Sequence, residues 1–157
     1  MREQTKKRIR CAGIFLFVLY MGMLVYFLFF AESYGRAGEL EREYRYNLKL
    51  FREIHRFWIY RDQVGTLAMV LNIFGNVVGF IPFGYILPII NHRLRNWLLI
   101  VVNGFSLSLC VEVAQLIFRV GSFDVDDLML NTLGALLGYI LFWICNEIRR
   151  RFYGKTI

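Results

Sequence analysis

Four apolar runs divide this chain, from about Cys11 to Phe30, Leu67 to Ile90, Asn96 to Phe118 and Leu128 to Cys145. Each is close to the roughly 20 residues that a helix needs to cross a hydrocarbon core about 30 Å thick. In lipid the backbone N–H and C=O groups must find partners within the chain, and a single segment of this length can do that only as a helix. The expected fold is therefore an all-α integral membrane protein. It has four transmembrane helices plus an extracellular amphipathic segment between the first and second. Composition agrees: 57% of the residues are hydrophobic and 20% charged, against about a quarter charged in soluble domains. The 157 residues suffice for one domain.

Charge gathers between these runs and at the two ends. The first run has a basic start, as a signal peptide does, but it is long and bulky and no A-x-A-like site follows at once. It reads as a retained anchor. Five basic residues precede it (Arg2, Lys6, Lys7, Arg8 and Arg10), Arg93 and Arg95 lie between the second and third runs, and Arg149, Arg150, Arg151 and Lys155 follow the fourth. Four crossings place these three groups on one side. Arg119 is the one basic residue between the third and fourth runs, and the long segment 31–66 balances seven basic residues with six acids. Both termini are expected in the cytoplasm, in a multi-pass protein of the bacterial cytoplasmic membrane. The net charge of +7 is then explained by helix flanks, and no nucleic-acid partner is expected. Cys11, Cys110 and Cys145 are odd in number and far apart, and with His55 and His92 they make no zinc pattern. Neither a metal nor a cofactor is expected.

This orientation gathers the costly polar residues at one depth. A carboxylate inside a membrane segment costs roughly 2.5–3.5 kcal/mol on insertion scales. Glu112 lies six residues, about 9 Å, below the outer end of the third run, with Gln115 one turn nearer the surface. Asn72 and Asn76 lie one turn apart in the outer half of the second run, and Asn131 about a turn into the fourth. Above them runs a loop with Arg119, Asp124, Asp126 and Asp127. Together these nine residues form the candidate polar site: Asn72, Asn76, Glu112, Gln115, Arg119, Asp124, Asp126, Asp127 and Asn131.

Structural roles compete for several of them. Asp126 or Asp127 is placed to cap the fourth helix, and Arg119 to pair with a carboxylate. Gly75 and Gly79, like Gly134 and Gly138, form small-xxx-small faces that let helices approach closely. Pro82 and Pro88 are expected to kink or interrupt the second helix. Between Glu39 and Gln63, Leu40, Tyr44, Leu48, Phe51, His55 and Trp58 recur at helical spacing among Arg42, Arg45, Lys49, Arg52 and Arg56. This predicts an interfacial amphipathic segment with an aromatic anchor at Phe57, Trp58 and Tyr60.

Three blocks give the chain a resemblance. They are Asn72-x-x-Gly75-Asn76 with Phe80-x-Pro82-x-Gly84, then Ser108-x-x-x-Glu112-x-x-Gln115. The third runs from Arg119 through Phe123-Asp124-Val-Asp126-Asp127 and Asn131-x-x-Gly134 to Gly138-Tyr139. Over about residues 44–142 the combination resembles the VanZ-like family. Asn47-Leu48-x-Leu50-Phe51 keeps part of a further family element, with Leu50 where proline is usual and Arg45 in a shifted register. The resemblance implies a small bacterial membrane protein, with residues 1–30 as basic tail and anchor, 31–145 as the VanZ-like domain and 146–157 as a basic cytoplasmic tail. It also implies a part in low-level resistance to teicoplanin, a lipid-tailed glycopeptide. The expected partner is a membrane lipid, a lipid-linked cell-wall precursor or the lipoglycopeptide itself. The alternative is an intramembrane enzyme modifying a lipid-linked or cell-envelope substrate with Glu112 as acid/base, and a third reading is a structural or assembly partner.

Overall fold

A computed structural model describes residues 3–27, 44, 46–52, 55, 59 and 66–154. Its helices are α1 (Glu3–Tyr26), α2 (Thr66–Ile90), α3 (Trp97–Phe118) and α4 (Val125–Tyr153). Two-residue strands, β1 (Tyr46–Asn47) and β2 (Phe123–Asp124), pair in parallel, with Tyr46 opposite Phe123 and Asn47 opposite Asp124. Within α1–α4, the segments Lys7–Tyr26, Ile73–Ile90, Trp97–Phe118 and Val125–Phe152 are long and apolar enough to cross a membrane.

The bundle is built on α4, which packs along both α2 and α3, while α1 leans chiefly on α2. Its centre is Phe83, Ile100 and Ala135, with Phe17, Tyr20, Leu87, Leu107 and Tyr139 packed around them. Large apolar side chains such as Phe15, Val78, Phe105 and Leu141 face outward. So much exposed apolar surface suits contact with lipid rather than water. Tyr20 ties α1 to α2, its hydroxyl donating to the Gly79 carbonyl at 2.8 Å.

Glycine sets how closely the helices approach, but at other positions than the spacing in α2 suggested. A Cβ on Gly84 would stand 1.8 Å from the Ala135 carbonyl oxygen. One on Gly134 would stand 2.2 Å from Val77 O, and one on Gly138 2.1 Å from Ile81 O. These backbones touch, so α2 and α4 pack through Gly84, Gly134 and Gly138. A Cβ on Gly75 or Gly79 would meet nothing within 4 Å among the described residues, so their four-residue spacing does not set a close helix approach there. Nor do Pro82 and Pro88 interrupt α2, which runs through both. Each proline removes one N–H, a loss that membrane helices tolerate when neighbouring groups adjust.

Helix ends follow local chemistry. Asn96 caps α3, its Oδ1 accepting from Leu98 N at 2.9 Å. Arg119 closes α3 in the left-handed region (φ 54°), and Gly154 does the same for α4 (φ 60°). The basic tail after Cys145 continues α4 to Tyr153. Helical spacing fails in part of the segment before α2. There Tyr46 and Asn47 are extended and Phe51 adopts φ 62°, because this stretch pairs with β2 instead of continuing as a helix. Phe57, Trp58 and Tyr60 lie outside the described residues.

Candidate functional site

The chain crosses β2 just before α4, and Asp124 is where the polar residues meet. Asp124, not Asp126 or Asp127, is the N-cap of α4, with its carboxylate accepting from Asp126 N at 2.8 Å. Strand pairing decides this, because it holds Asp124 extended (φ −130°, ψ 123°), the backbone shape a cap needs. Asp126 and Asp127 then fall in the first turn, where negative charge suits the positive helix pole. The Asp124 N–H donates to Glu112 Oε2 at 2.9 Å, joining the buried carboxylate of α3 to the start of α4.

Residues 44 and 46–51 belong to a strap over this layer. Asn47 Nδ2 donates to both carboxylate oxygens of Asp124, at 3.1 and 3.3 Å, and Asn47 Oδ1 accepts from Lys49 N at 3.2 Å. The Phe51 N–H donates to Asp126 Oδ1. At the strap's start Arg119 lies over the Tyr44 ring, 4.3 Å from its centroid, and donates to its hydroxyl at 3.1 Å. Arg119 is thus exposed and stacked on an aromatic ring, whereas the sequence suggested a carboxylate partner for it. Its guanidinium plane suits the ring face, and the strap delivers that face.

Below this level a second polar layer crosses the bundle. Asn76 of α2 donates from Nδ2 to Asp127 Oδ1, and Asn131 Nδ2 of α4 donates to Ser108 Oγ of α3 at 2.9 Å. Ser108 precedes Glu112 by one turn and Asn131 follows Asp127 by one turn, so the two layers share helix faces. Glu112, Asp126 and Asn131 are each no more than 2% exposed, and Gln115 is also buried, with Gly121 packed against its side chain. Asn131 Oδ1 is buried with no hydrogen-bond partner among the described residues. Asn72 lies on α2, but its side chain is outside the described residues.

The structure therefore brings Asn76, Glu112, Asp124, Asp126, Asp127 and Asn131 to one end of the bundle, with Gln115 beside them and Arg119 on the surface above. Two further members, Asn47 and Ser108, were absent from the candidate set. Both stand in the blocks that carry the family resemblance, Ser108 one turn before Glu112 and Asn47 before Leu48, while the contact of Asn47 with Asp124 follows from strand pairing. Backbone and side-chain amides are among the donors to these carboxylates, and among the described residues no group of three His, Cys, Asp or Glu is placed to hold a metal ion. The arrangement offers acceptors at the rim of the bundle, held rigidly from four segments of chain. His92 lies in the α2–α3 turn at the other end, away from Ser108.

The chain is 38% identical over 72 residues to Protein VanZ of Enterococcus faecium. That match covers 46% of this chain and 44% of the relative, so it spans less than half the relative's length. No solved structure matches. The sequence profile of VanZ/LLP1 matches residues 17–146, which take in the end of α1, the strap, α2, α3 and most of α4, and the chain belongs to the VanZ/LLP1 family.

Proposed function

We propose that this protein is a multi-pass protein of the bacterial cytoplasmic membrane, with both termini in the cytoplasm, that lowers susceptibility to teicoplanin-type lipoglycopeptides. Family membership and the similarity to Protein VanZ support the resistance role. The distribution of Lys and Arg supports the orientation, which puts the strap and the acid layer at the outer leaflet. The same orientation would put the amphipathic segment expected between Glu39 and Gln63 on the outer surface.

In this reading the outer polar site binds the headgroup of a lipid, of a cell-wall precursor or of the drug. One observation carries it. Glu112, Asp124 and Asp126 are buried together at the rim of an apolar bundle, where carboxylates are costly and mark functional sites. The ligand would meet acceptors, with Asn76 and Asn131 on α2 and α4 fixing the depth of the site.

The first test is expression in a susceptible bacterium, with an empty vector as control. The inhibitory concentration of a lipid-tailed glycopeptide should rise, and that of a glycopeptide without a lipid tail should not. No rise for the tailed drug at confirmed membrane expression would refute the proposal.

A further inference from the structure

The end of the bundle opposite the acid layer is built differently. The apolar span of α4 runs from Val125 to Phe152, 28 residues, or about 42 Å against a hydrocarbon core of about 30 Å. Its start is fixed, since Asp124 is held by Glu112 and Asn47. The excess length must therefore emerge at the other end or be taken up by tilt.

Two contacts locate that end. Tyr139 donates its hydroxyl to the Arg95 carbonyl at 3.0 Å, so α4 passes the α2–α3 turn at Tyr139 and continues to Tyr153. Gly13 of α1 lies against Ile89 and Ile90, so α1 also overruns the turn on its way back to Glu3. The overruns are about 20 Å for α4 and about 15 Å for α1. The turn between them is pinned. Asn91 Oδ1 accepts from Arg93 N at 3.0 Å, and Arg95 donates to Pro88 O at 3.2 Å while stacking on Phe142.

Lys7, Arg8 and Arg10 are exposed on the first overrun, Arg93 on the turn, and Arg150 and Arg151 on the second. Glu147 pairs with Arg150 and Arg151 at 3.0 and 3.3 Å, but pairs this exposed on one helix are weak and leave the cations available. At the same level Ile144, Ile148 and Phe152 are exposed at four-residue spacing, forming an apolar stripe down one face of α4. Cations beside an apolar stripe on a helix leaving the bilayer match a headgroup layer. A free anion would cover the charges and leave the stripe in water.

We propose that this end is a binding surface for anionic phospholipid headgroups, with the last turns of α4 seated among them. It does not depend on the outer site. The test uses the full chain purified in neutral detergent, with thermal unfolding followed as phosphatidylglycerol, phosphatidylcholine or inorganic phosphate is added. Phosphatidylglycerol should stabilise the protein and the other two should not. The triple variant R93Q/R150Q/R151Q should weaken the apparent affinity for phosphatidylglycerol by about tenfold or more, since each cation near an anionic surface contributes separately. The variant R93K/R150K/R151K should keep it. In the wild type the effect should fade as salt rises toward 1 M, where screening acts within about 3 Å. Equal stabilisation by phosphatidylcholine or by phosphate would overturn the proposal, and so would an unchanged affinity in the glutamine variant. If that variant does not fold, the salt series on the wild type decides, and a salt-independent effect counts against the proposal.

Discussion

The backbone N–H of Asp124 donates to Oε2 of Glu112 at 2.9 Å. Asp124 is itself the N-cap of α4, so Glu112 acts as the reciprocal half of a capping box, supplied by α3 and not by the third residue of α4. A buried N–H left without an acceptor costs about 1–3 kcal/mol. Glu112→Leu is expected to lose stability in that range in detergent unfolding, while Glu112→Gln, which keeps an amide oxygen, should stay close to wild type.

Asn47 holds the strap to the same cap, with Nδ2 on both oxygens of Asp124. Asn47→Ala removes those bonds from a buried carboxylate, a loss of about 1.5–3 kcal/mol for hydrogen bonds to a charged group. The local effect should exceed the global one. Limited proteolysis should cut between residues 44 and 52 faster in Asn47→Ala than in wild type, with the helices remaining intact.

The glycines divide cleanly by what surrounds them. Gly84→Ala and Gly138→Ala each drive a Cβ into a backbone oxygen about 2 Å away, so α2 and α4 must separate. Overpacking of this kind costs typically 1–3 kcal/mol, and more where backbone blocks it. Gly75→Ala and Gly79→Ala enter open space, and each should raise the melting temperature slightly or leave it unchanged, since alanine favours the helix.

Ser108 and Asn131 form the deepest polar contact of the site, at 2.9 Å. Ser108→Ala strands the Asn131 amide and should destabilise by about 1–2 kcal/mol. The double variant Ser108→Ala/Asn131→Leu removes both partners, together with the Asn131 Oδ1 that has no partner among the described residues, and should recover most of that loss. If the pair serves only packing, resistance should recover with stability. The proposed function predicts that resistance does not.

Hydropathy made the four helices legible, because a membrane helix announces itself by length. The observed ends differ where charge continues the helix, as from Glu3 to Arg10 and from Asn146 to Tyr153. Which glycines touch was hidden, since α2 after Asn76 is apolar around its whole circumference and its pattern there marks no inward face. Three aspartates within four residues, from Asp124 to Asp127, made the cap ambiguous, and pairing with Tyr46 and Asn47 resolved it. That pairing joins residues 77 apart in the chain, and no local pattern encodes it. The same strap gave Arg119 its partner, the ring of Tyr44.

The most direct measurement is the inhibitory concentration of a lipid-tailed glycopeptide for cells carrying wild type, Glu112→Gln or an empty vector. Membrane levels and melting temperatures of the two proteins must match. Glu112→Gln replaces the carboxyl group while leaving an oxygen for Asp124 N–H, so the fold should survive and the proposed site should lose its buried acid. Protection in Glu112→Gln is predicted to fall to the level of the empty vector. Protection equal to wild type, from a protein equally abundant and equally stable, would contradict a functional role for the Glu112 site.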